Sequence, residues 1–215
     1  MTHLADADNP KTDAYTRKQV QVFDTAVADI LAQGFRPRYL HVAQTAGSTK
    51  AHSHYANAIR LGIGLYGINP LQPSDPGHAE LNGLQPVLTL KSTIVKTHEL
   101  QTGDQVSYNG IFTAPRAMRI GVLPLGYYEG VPRELSNRGF VSIGRRHLPI
   151  VGTVCMNHTI IDITQTTLGV NDEVIVISAN RTDPNSIETA SPLDKNLFSY
   201  SWLTHISSTL KRRIV

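Results

Sequence analysis

The stretch GDQVSYNGIFTAPRAMRIGVLPLGYYEGVPREL, Gly103–Leu135, alternates apolar and polar residues as half-buried strands do, and it sets three tyrosines between its runs. Tyr108 precedes Asn109 and Gly110, while Tyr127 and Tyr128 lie between Gly126 and Gly130. A phenol at a turn meets a ligand more readily than a phenol in a core. Its ordinary pKa of about 10 makes it a poor base. If one of these tyrosines does chemistry, a basic group must assist it from nearby.

The same grammar continues outward from this stretch. Between Val87 and Ile177 the chain reads as short alternating runs, VLTLKSTIVKTHEL, AMRIGVLPL, GFVSIG, LPIVGTVCM, TIIDIT and DEVIVIS, separated by turn signals. That spacing predicts a compact all-β domain. Upstream the pattern is different. Val20, Phe23, Val27, Ile30 and Leu31 recur at helical spacing, with Gly34 as the stop signal. RYLHVA is a short apolar run, QTAGSTKAHSHYANA could begin a second helix, and AIRLGIGLYGINP (Ala58–Pro70) reads as a strand. This is a βα grammar, and it predicts a parallel sheet or barrel. Leu71–Gly83 reads as a Pro/Gly linker, which divides the chain near residue 80 into segments 1–80 and 81–215. The tail carries Leu197, Trp202, Leu203 and Ile206 at helical spacing. Two or three strands are too few for a parallel sheet buried on both faces. The first segment therefore reads as the last part of a barrel, and Met1 as an internal residue of a longer protein.

Composition narrows the function. The chain has 215 residues, 40% of them hydrophobic and 17% charged, with a net charge of +3. Its basic residues are scattered apart from Lys211–Arg213, with no stripe of stacking aromatics, so the expectation is no nucleic acid. The single cysteine, Cys155, excludes an internal disulfide. No apolar run approaches the ~20 residues needed to span a bilayer, and MTHLADADNP lacks the parts of a signal peptide. The expectation is a cytoplasmic protein with no membrane partner.

The candidate residues are modest one by one. His3 lies at the end of a possible strand, the edge where α/β barrels place their sites. His41, taken alone, reads first as a hydrogen-bonded core histidine. Thr45 and Ser48 stand at a presumptive helix start, where hydroxyls and free N–H groups receive anions. Arg60 and the glycines of RLGIGLYG follow, and they lack the spacing of a dinucleotide fingerprint. His52 and His54 have no further ligands at metal spacing. Cys155 reads as a buried small hydrophobe. Tyr108, Tyr127, Arg133 and Met156 fall at strand ends or turns.

In order, however, THLADAD, LHVAQTAGS, AIRLGIGLYGINP, VSYNGIFTA, PLGYYEGVPREL, VSIGRRHLPIVGTVCMNHTIIDIT and NDEVIVIS resemble successive motifs of the alanine racemase family. The resemblance covers nearly the whole chain. It implies an α/β plus all-β fold: the last strands and helices of a pyridoxal-phosphate-binding (β/α)8 barrel, followed by a mainly antiparallel C-terminal β domain. It implies a homodimeric, pyridoxal 5'-phosphate-dependent enzyme that interconverts L- and D-alanine for peptidoglycan precursors by two bases. It also implies that the first half of the barrel, with the Schiff-base lysine, is missing from this chain. Lys50 is a poor substitute, and the chain alone is expected to be inactive. Alternatives are a racemase of a related amino acid such as serine, or a non-catalytic dimerising β module.

By the same resemblance, His3 stacks on the pyridine ring. Thr45 and the N–H groups of Gly62 and Ile63 bind the phosphate, and Arg60 faces the pyridine nitrogen. Tyr108 is the catalytic base on one face of the substrate. Met156 offers its backbone N–H to the substrate carboxylate, and Tyr127 ends a hydrogen-bond chain through His41 and Arg60. Arg133 belongs to the supporting network. Thr153 and Asn157 depart from the family's usual arginine and aspartate, and Ser208 stands where many members place a tyrosine near the phosphate.

Overall fold

The computed structural model describes residues 1–190 and 199–215, which form two compact units, Met1–Val87 and Leu88–Val215. The first opens with a short 3-10 turn at Pro10–Thr12. The Asn9 side chain accepts from the Lys11 N–H there, and Pro10 begins the turn. Helix α1 (Asp13–Ala32) follows. It buries Thr16, Val20, Phe23 and Val27, a single stripe at four-, three- and four-residue steps. Those side chains pack with Leu4, Ala7, Val42, Ala46 and Leu71, and Leu31 lies partly against them. Ile30, expected on the same stripe, is exposed, because 100° per residue carries it past the line joining Val20, Phe23 and Val27. Gly34 ends the helix at φ +90°, and its N–H returns to the Leu31 carbonyl at 3.1 Å.

Strand β1 (His41–Gln44) pairs in parallel with β2 (Ala58–Arg60). Three expectations change here. The second helix is only a 3-10 turn, Ala46–Thr49, because the hydroxyls of Ser48 and Thr49 donate back to the carbonyls of Thr45 and Ala46. Such side-chain bonds compete with helix propagation. The strand expected across Ala58–Pro70 stops at Arg60. The chain turns through Ile63–Tyr66 and is closed by Gly67 at φ +80°, where a Cβ would sit 1.7 Å from the Gln85 carbonyl oxygen. His3 lies in a segment that no strand includes, although the Thr2 N–H reaches the His41 carbonyl at 3.3 Å.

The stretch Leu71–Gly83 is packed, which a linker would not be. Leu71 is in the core and Pro76–Leu81 forms a 3-10 turn. The buried Asp75 caps that turn by accepting from the Gly77 N–H at 2.9 Å. Its carboxylate also pairs with Lys50, whose Nζ lies 2.9 Å from Asp13 Oδ1. A Pro/Gly-rich composition concealed this because a buried carboxylate, together with the isolated Leu71 and Leu81, holds the segment down.

The second unit is built from β3 (Leu90–Thr93), β4 (Lys96–Leu100), β5 (Gln105–Val106), β6 (Phe112–Thr113), β7 (Met118–Leu123), β8 (Phe140–Ile143), β9 (Arg146–Pro149), β10 (Thr159–Asp162) and β11 (Glu173–Ile177). They make sheets of order β10-β7-β4, β3-β11-β8-β9 and β5-β6. All these pairings are antiparallel. The run VLTLKSTIVKTHEL, read as one segment, divides at the fully buried Ile94 so that β3 and β4 join different sheets. The core holds Leu123, Val141, Ile161, Ile163 and Val174. Helices α2 (Ile187–Ala190) and α3 (Ser199–His205) close the unit, with Trp202 and Leu203 buried. Ile206 falls just after α3 and is half-buried, while Leu197 lies outside the described residues. Among the described residues no helix is long and apolar enough to cross a membrane.

Ile161 lies in β10, directly opposite Gly121 of the central strand β7, and has no exposed surface. Ile161→Ala should lower the unfolding free energy of this unit by about 2–5 kcal/mol, read from urea denaturation followed by tryptophan fluorescence at Trp202. A loss below about 1 kcal/mol would show that this position is not core.

Candidate active site

Two clusters of polar groups stand out, one in each unit. In the first, Arg60 at the end of β2 directs its guanidinium along β1. Nη1 lies 2.5 Å from His41 Nδ1, and Nη2 contacts the carbonyls of Thr2 and Val42 at 2.8 Å and His3 Nδ1 at 3.2 Å. Arginine only donates. Both histidines therefore accept at Nδ1, which places the His41 proton on Nε2. Partial burial, then the Arg60 charge, hold the His41 pKa below its ordinary value.

Next to this fork is Thr45, buried immediately after β1 at the start of the 3-10 turn. Its Oγ1 accepts from the N–H groups of Gly62 and Gly64, both at 3.2 Å. Gly64 is required by space, since a Cβ there would lie 2.7 Å from Thr45 Cγ2. The Ile63 N–H between them has no acceptor among the described residues. The Gly62 N–H, expected free for a phosphate, is turned to the threonine. The hydroxyl hydrogen of Thr45 and the Ile63 N–H are then the available donors. Lys50 is otherwise engaged: burial opposes its charge, but the hydrogen bonds and charges of Asp75 and Asp13 win and raise its pKa.

In the second unit, Tyr108, Tyr127, Arg133, Thr153, Cys155, Met156 and His158 help line one cavity of about 410 Å³. Among the described residues, no carboxylate side chain lines it. The loops meet because their strands pair: β7 and β10 are neighbours, and the chain leaving β7 runs beside the chain entering β10. There the Tyr127 and Tyr128 N–H groups donate to the carbonyls of Cys155 and Met156, each at 3.0 Å. A Cβ on Gly126 would lie 1.9 Å from the Cys155 oxygen, so only glycine permits this approach. The Met156 N–H has no acceptor among the described residues, and neither phenol nor the Arg133 guanidinium has a hydrogen-bond partner there. Tyr108 is 74% exposed at the tip of the β5–β6 hairpin.

The backbone that presents Tyr108 is unusual. Ser107 has φ +69° and ψ 178°, followed by positive φ at Asn109 and Gly110. A non-glycine residue there costs roughly 1–3 kcal/mol, and such strain gathers at functional sites. Cys155, expected to be a buried hydrophobe, is half-buried and lines the cavity, because its loop faces solvent rather than core. Asn157 donates to Glu129 Oε1 at 2.8 Å, while Glu129 Oε2 accepts from Gly126. An amide suits that place because a carboxylate would repel Glu129. Ser208 is exposed, and its carbonyl accepts from Arg212 at 3.2 Å. Sequence reasoning missed Ser136, Asn137, Glu129 and Asp75. The turn-rich SNRG string before β8 and the Asp75–Pro76 capping pair were the available signals.

The second unit thus combines a mainly antiparallel β fold with two phenols at its turns, and the first sets a threonine–glycine cradle beside an arginine fork. The description "Alanine racemase, C-terminal domain" matches residues 87–214, and "Alanine racemase, N-terminal domain" matches residues 1–70. The chain is 35% identical over 184 residues to the alanine racemase of Geobacter sulfurreducens, covering 84% of this chain and 47% of that one. It is 32% identical over 212 residues to that of Thermobifida fusca, covering 98% and 54%. The crystal structure of alanine racemase from Bartonella henselae with covalently bound pyridoxal phosphate superposes with a TM-score of 0.75 at 26% identity, over 100% of this chain and 56% of that one. The chain belongs to the alanine racemase family. It spans about half the length of the curated relatives it matches.

The lowered pKa of His41 makes a pH prediction. The folded state holds the imidazole neutral, so the unfolded state takes the proton first. The stability this gives the first unit is present above about pH 6.5 and is lost as pH falls through that value toward the lower folded pKa. NMR titration should place the His41 midpoint below 6.5, and His41→Asn should flatten the pH dependence of unfolding between pH 7 and 5. A midpoint at or above 6.5 would contradict the Arg60 contact.

Proposed function

We propose that this chain is the C-terminal part of a pyridoxal-phosphate-dependent alanine racemase, comprising the end of the barrel and the β domain that follows it. The observation that carries the reading is the cavity of the second unit: two phenols, the Met156 N–H and Arg133 without hydrogen-bond partners among the described residues, and no carboxylate among the described residues that line it. Such a cavity accepts a small carboxylate and offers a proton-exchanging hydroxyl beside it. The named activity of the relatives, alanine racemisation, needs both.

The first unit fits the cofactor. The Thr45 hydroxyl and Ile63 N–H suit a phosphate, Gly64 keeps the cradle open, and Gly62 holds Thr45 in place. Arg60 is the group for the ring nitrogen, and His3, in contact with Arg60, is the group for the ring face. Bound there, pyridoxal phosphate supplies the electron sink for the carbanion at the substrate Cα. Inversion requires a base on each face. Tyr108 Oη takes or returns the Cα proton on one face. The Met156 N–H holds the carboxylate, and Tyr127 with Arg133 fixes its orientation, while His41 keeps Arg60 oriented. The second base comes from a segment outside these 215 residues. Lys50 does not serve, because its ammonium is held by Asp13 and Asp75. The working enzyme is a homodimer in the cytoplasm, with Tyr108 of one copy serving the cofactor of the other.

In the complete enzyme, Tyr108→Phe should lower turnover from L-alanine by about 10²–10⁴-fold, the usual worth of one acid–base group. Its stability should change by less than about 0.5 kcal/mol, as for an exposed side chain. The 215-residue chain alone, with pyridoxal phosphate in deuterium oxide, should not exchange the alanine Cα proton. Adding the N-terminal half of a relative should start the exchange. Exchange by the chain alone would show that it needs no group from outside these residues to reach the Cα proton, and racemisation by it alone would show that it already holds both bases.

A further inference from the structure

The cavity of the second unit is assembled from three separate loops, and one dipeptide touches all of them. Asn137 Nδ2 donates to the Ile111 carbonyl at 2.9 Å, at the end of the Tyr108 turn. Its Oδ1 accepts from the Gly152 N–H at 2.6 Å. The neighbouring Ser136 Oγ accepts from the Val154 N–H at 2.9 Å and donates to the Arg133 carbonyl at 2.5 Å. Four hydrogen bonds from two short side chains therefore join the Tyr108 turn, the Arg133 turn and the 152–156 loop that carries Met156.

Two further observations connect this junction to the turn that carries Tyr108. Gly152, held by Asn137, has φ +77°, and a Cβ there would lie 2.3 Å from Ser107 Oγ. Gly152 thus forms the floor under the residue that precedes Tyr108. Ser107 is itself in a positive-φ conformation, and its Oγ is buried without a hydrogen-bond partner among the described residues. The strained turn does not hold itself by its own side chain. Surrounding contacts must over-determine such a conformation if it is to persist. Asn137 supplies them on both sides, at Ile111 and at Gly152. It can do so because asparagine tolerates its own φ of +55° better than most residues.

We infer that Asn137, seconded by Ser136, is the positioning residue that clamps the Tyr108 turn against the loop carrying Met156. Asn137 does not touch substrate. It fixes where the phenol stands relative to the Met156 N–H and Arg133. Its value to catalysis rests on the reading of Tyr108 as a base; the clamp itself does not, and it can be read without activity.

The test uses the 215-residue chain labelled with 15N and with 13C at the tyrosine ring Cε positions. Asn137→Gly removes both hydrogen bonds and keeps the positive φ accessible. It should raise amide hydrogen exchange across residues 107–111 and at Gly152 by tenfold or more, and it should move the Tyr108 ring signal toward that of a mobile tyrosine. Exchange in β7, β10 and β11 should stay unchanged. Asn137→Asp keeps the acceptor for Gly152 and loses the donor to Ile111, so it should loosen 107–111 while Gly152 stays protected. An unchanged Tyr108 signal in Asn137→Gly would overturn the proposal. So would a uniform rise in exchange that includes the three strands, which would mean a general contribution to folding. If Tyr108→Phe leaves the complete enzyme active while Asn137→Gly frees the turn, the functional reading fails and the clamp stands.

Discussion

The close approach of backbone at Gly126 to the carbonyls of Cys155 and Met156 is the contact on which the second unit's site depends. It follows from strand pairing. β7 is hydrogen-bonded to β4 on one edge and to β10 on the other, so the chain leaving β7 and the chain entering β10 must run side by side. Thr159 continues the contact by donating to the Leu125 carbonyl at 2.8 Å, and a side chain at 126 would push the strands' ends apart. The backbone bonds of this crossing hold Tyr127 and Met156 without using their functional groups. That division of labour leaves a phenol and an N–H facing a cavity instead of each other.

The first unit uses a different device for the same end. One planar guanidinium with fixed donor directions contacts two backbone carbonyls and two imidazoles. Because an arginine cannot accept, the contact at 2.5 Å requires a lone pair on His41 Nδ1, and the fork fixes the tautomer of His41 as well as its position. Thr45 is held similarly, its oxygen occupied by two glycine N–H groups so that only its hydrogen remains to be given. Lys50 is drawn away from such a role by two carboxylates, one of them wholly buried. A buried carboxylate left alone would be costly, so this pair is also what keeps the Pro/Gly-rich segment after Leu71 packed.

Strain is placed where the site needs reach. The positive φ at Ser107, Asn109 and Gly110 projects Tyr108 outward, and the hydrogen bonds of Ser136 and Asn137 stabilise the loops around it. The charge pattern is adjusted locally as well. With Glu129 spanning the Gly126 N–H and the Asn157 amide, position 157 is served by a neutral donor. The family's usual aspartate would set two carboxylates against each other at that point, so the departure at Asn157 has a physical reason within this chain. Nothing in the structure explains threonine at 153.

Local pattern was enough to read helix α1, the strand-rich character of the second unit and the tyrosine-bearing turns. Period 3.6 and period 2 are written directly in which residues are apolar. Order and spacing of motifs were enough to recognise the family. Local pattern failed where a partner far along the chain decides. Ile94 splits one apolar run between two sheets, the hydroxyls of Ser48 and Thr49 turn a presumptive helix into a single turn, and the Gln85 carbonyl excludes any side chain at Gly67. The buried Asp75 and the Ser136–Asn137 junction were invisible for the same reason. A polar residue in a turn-rich string looks solvated until its long-range acceptors are known. Residue types at the site were therefore a property of the sequence. Their meeting in one cavity was decided by the pairing of β7 with β10, a contact between segments some forty residues apart, which no local periodicity can encode.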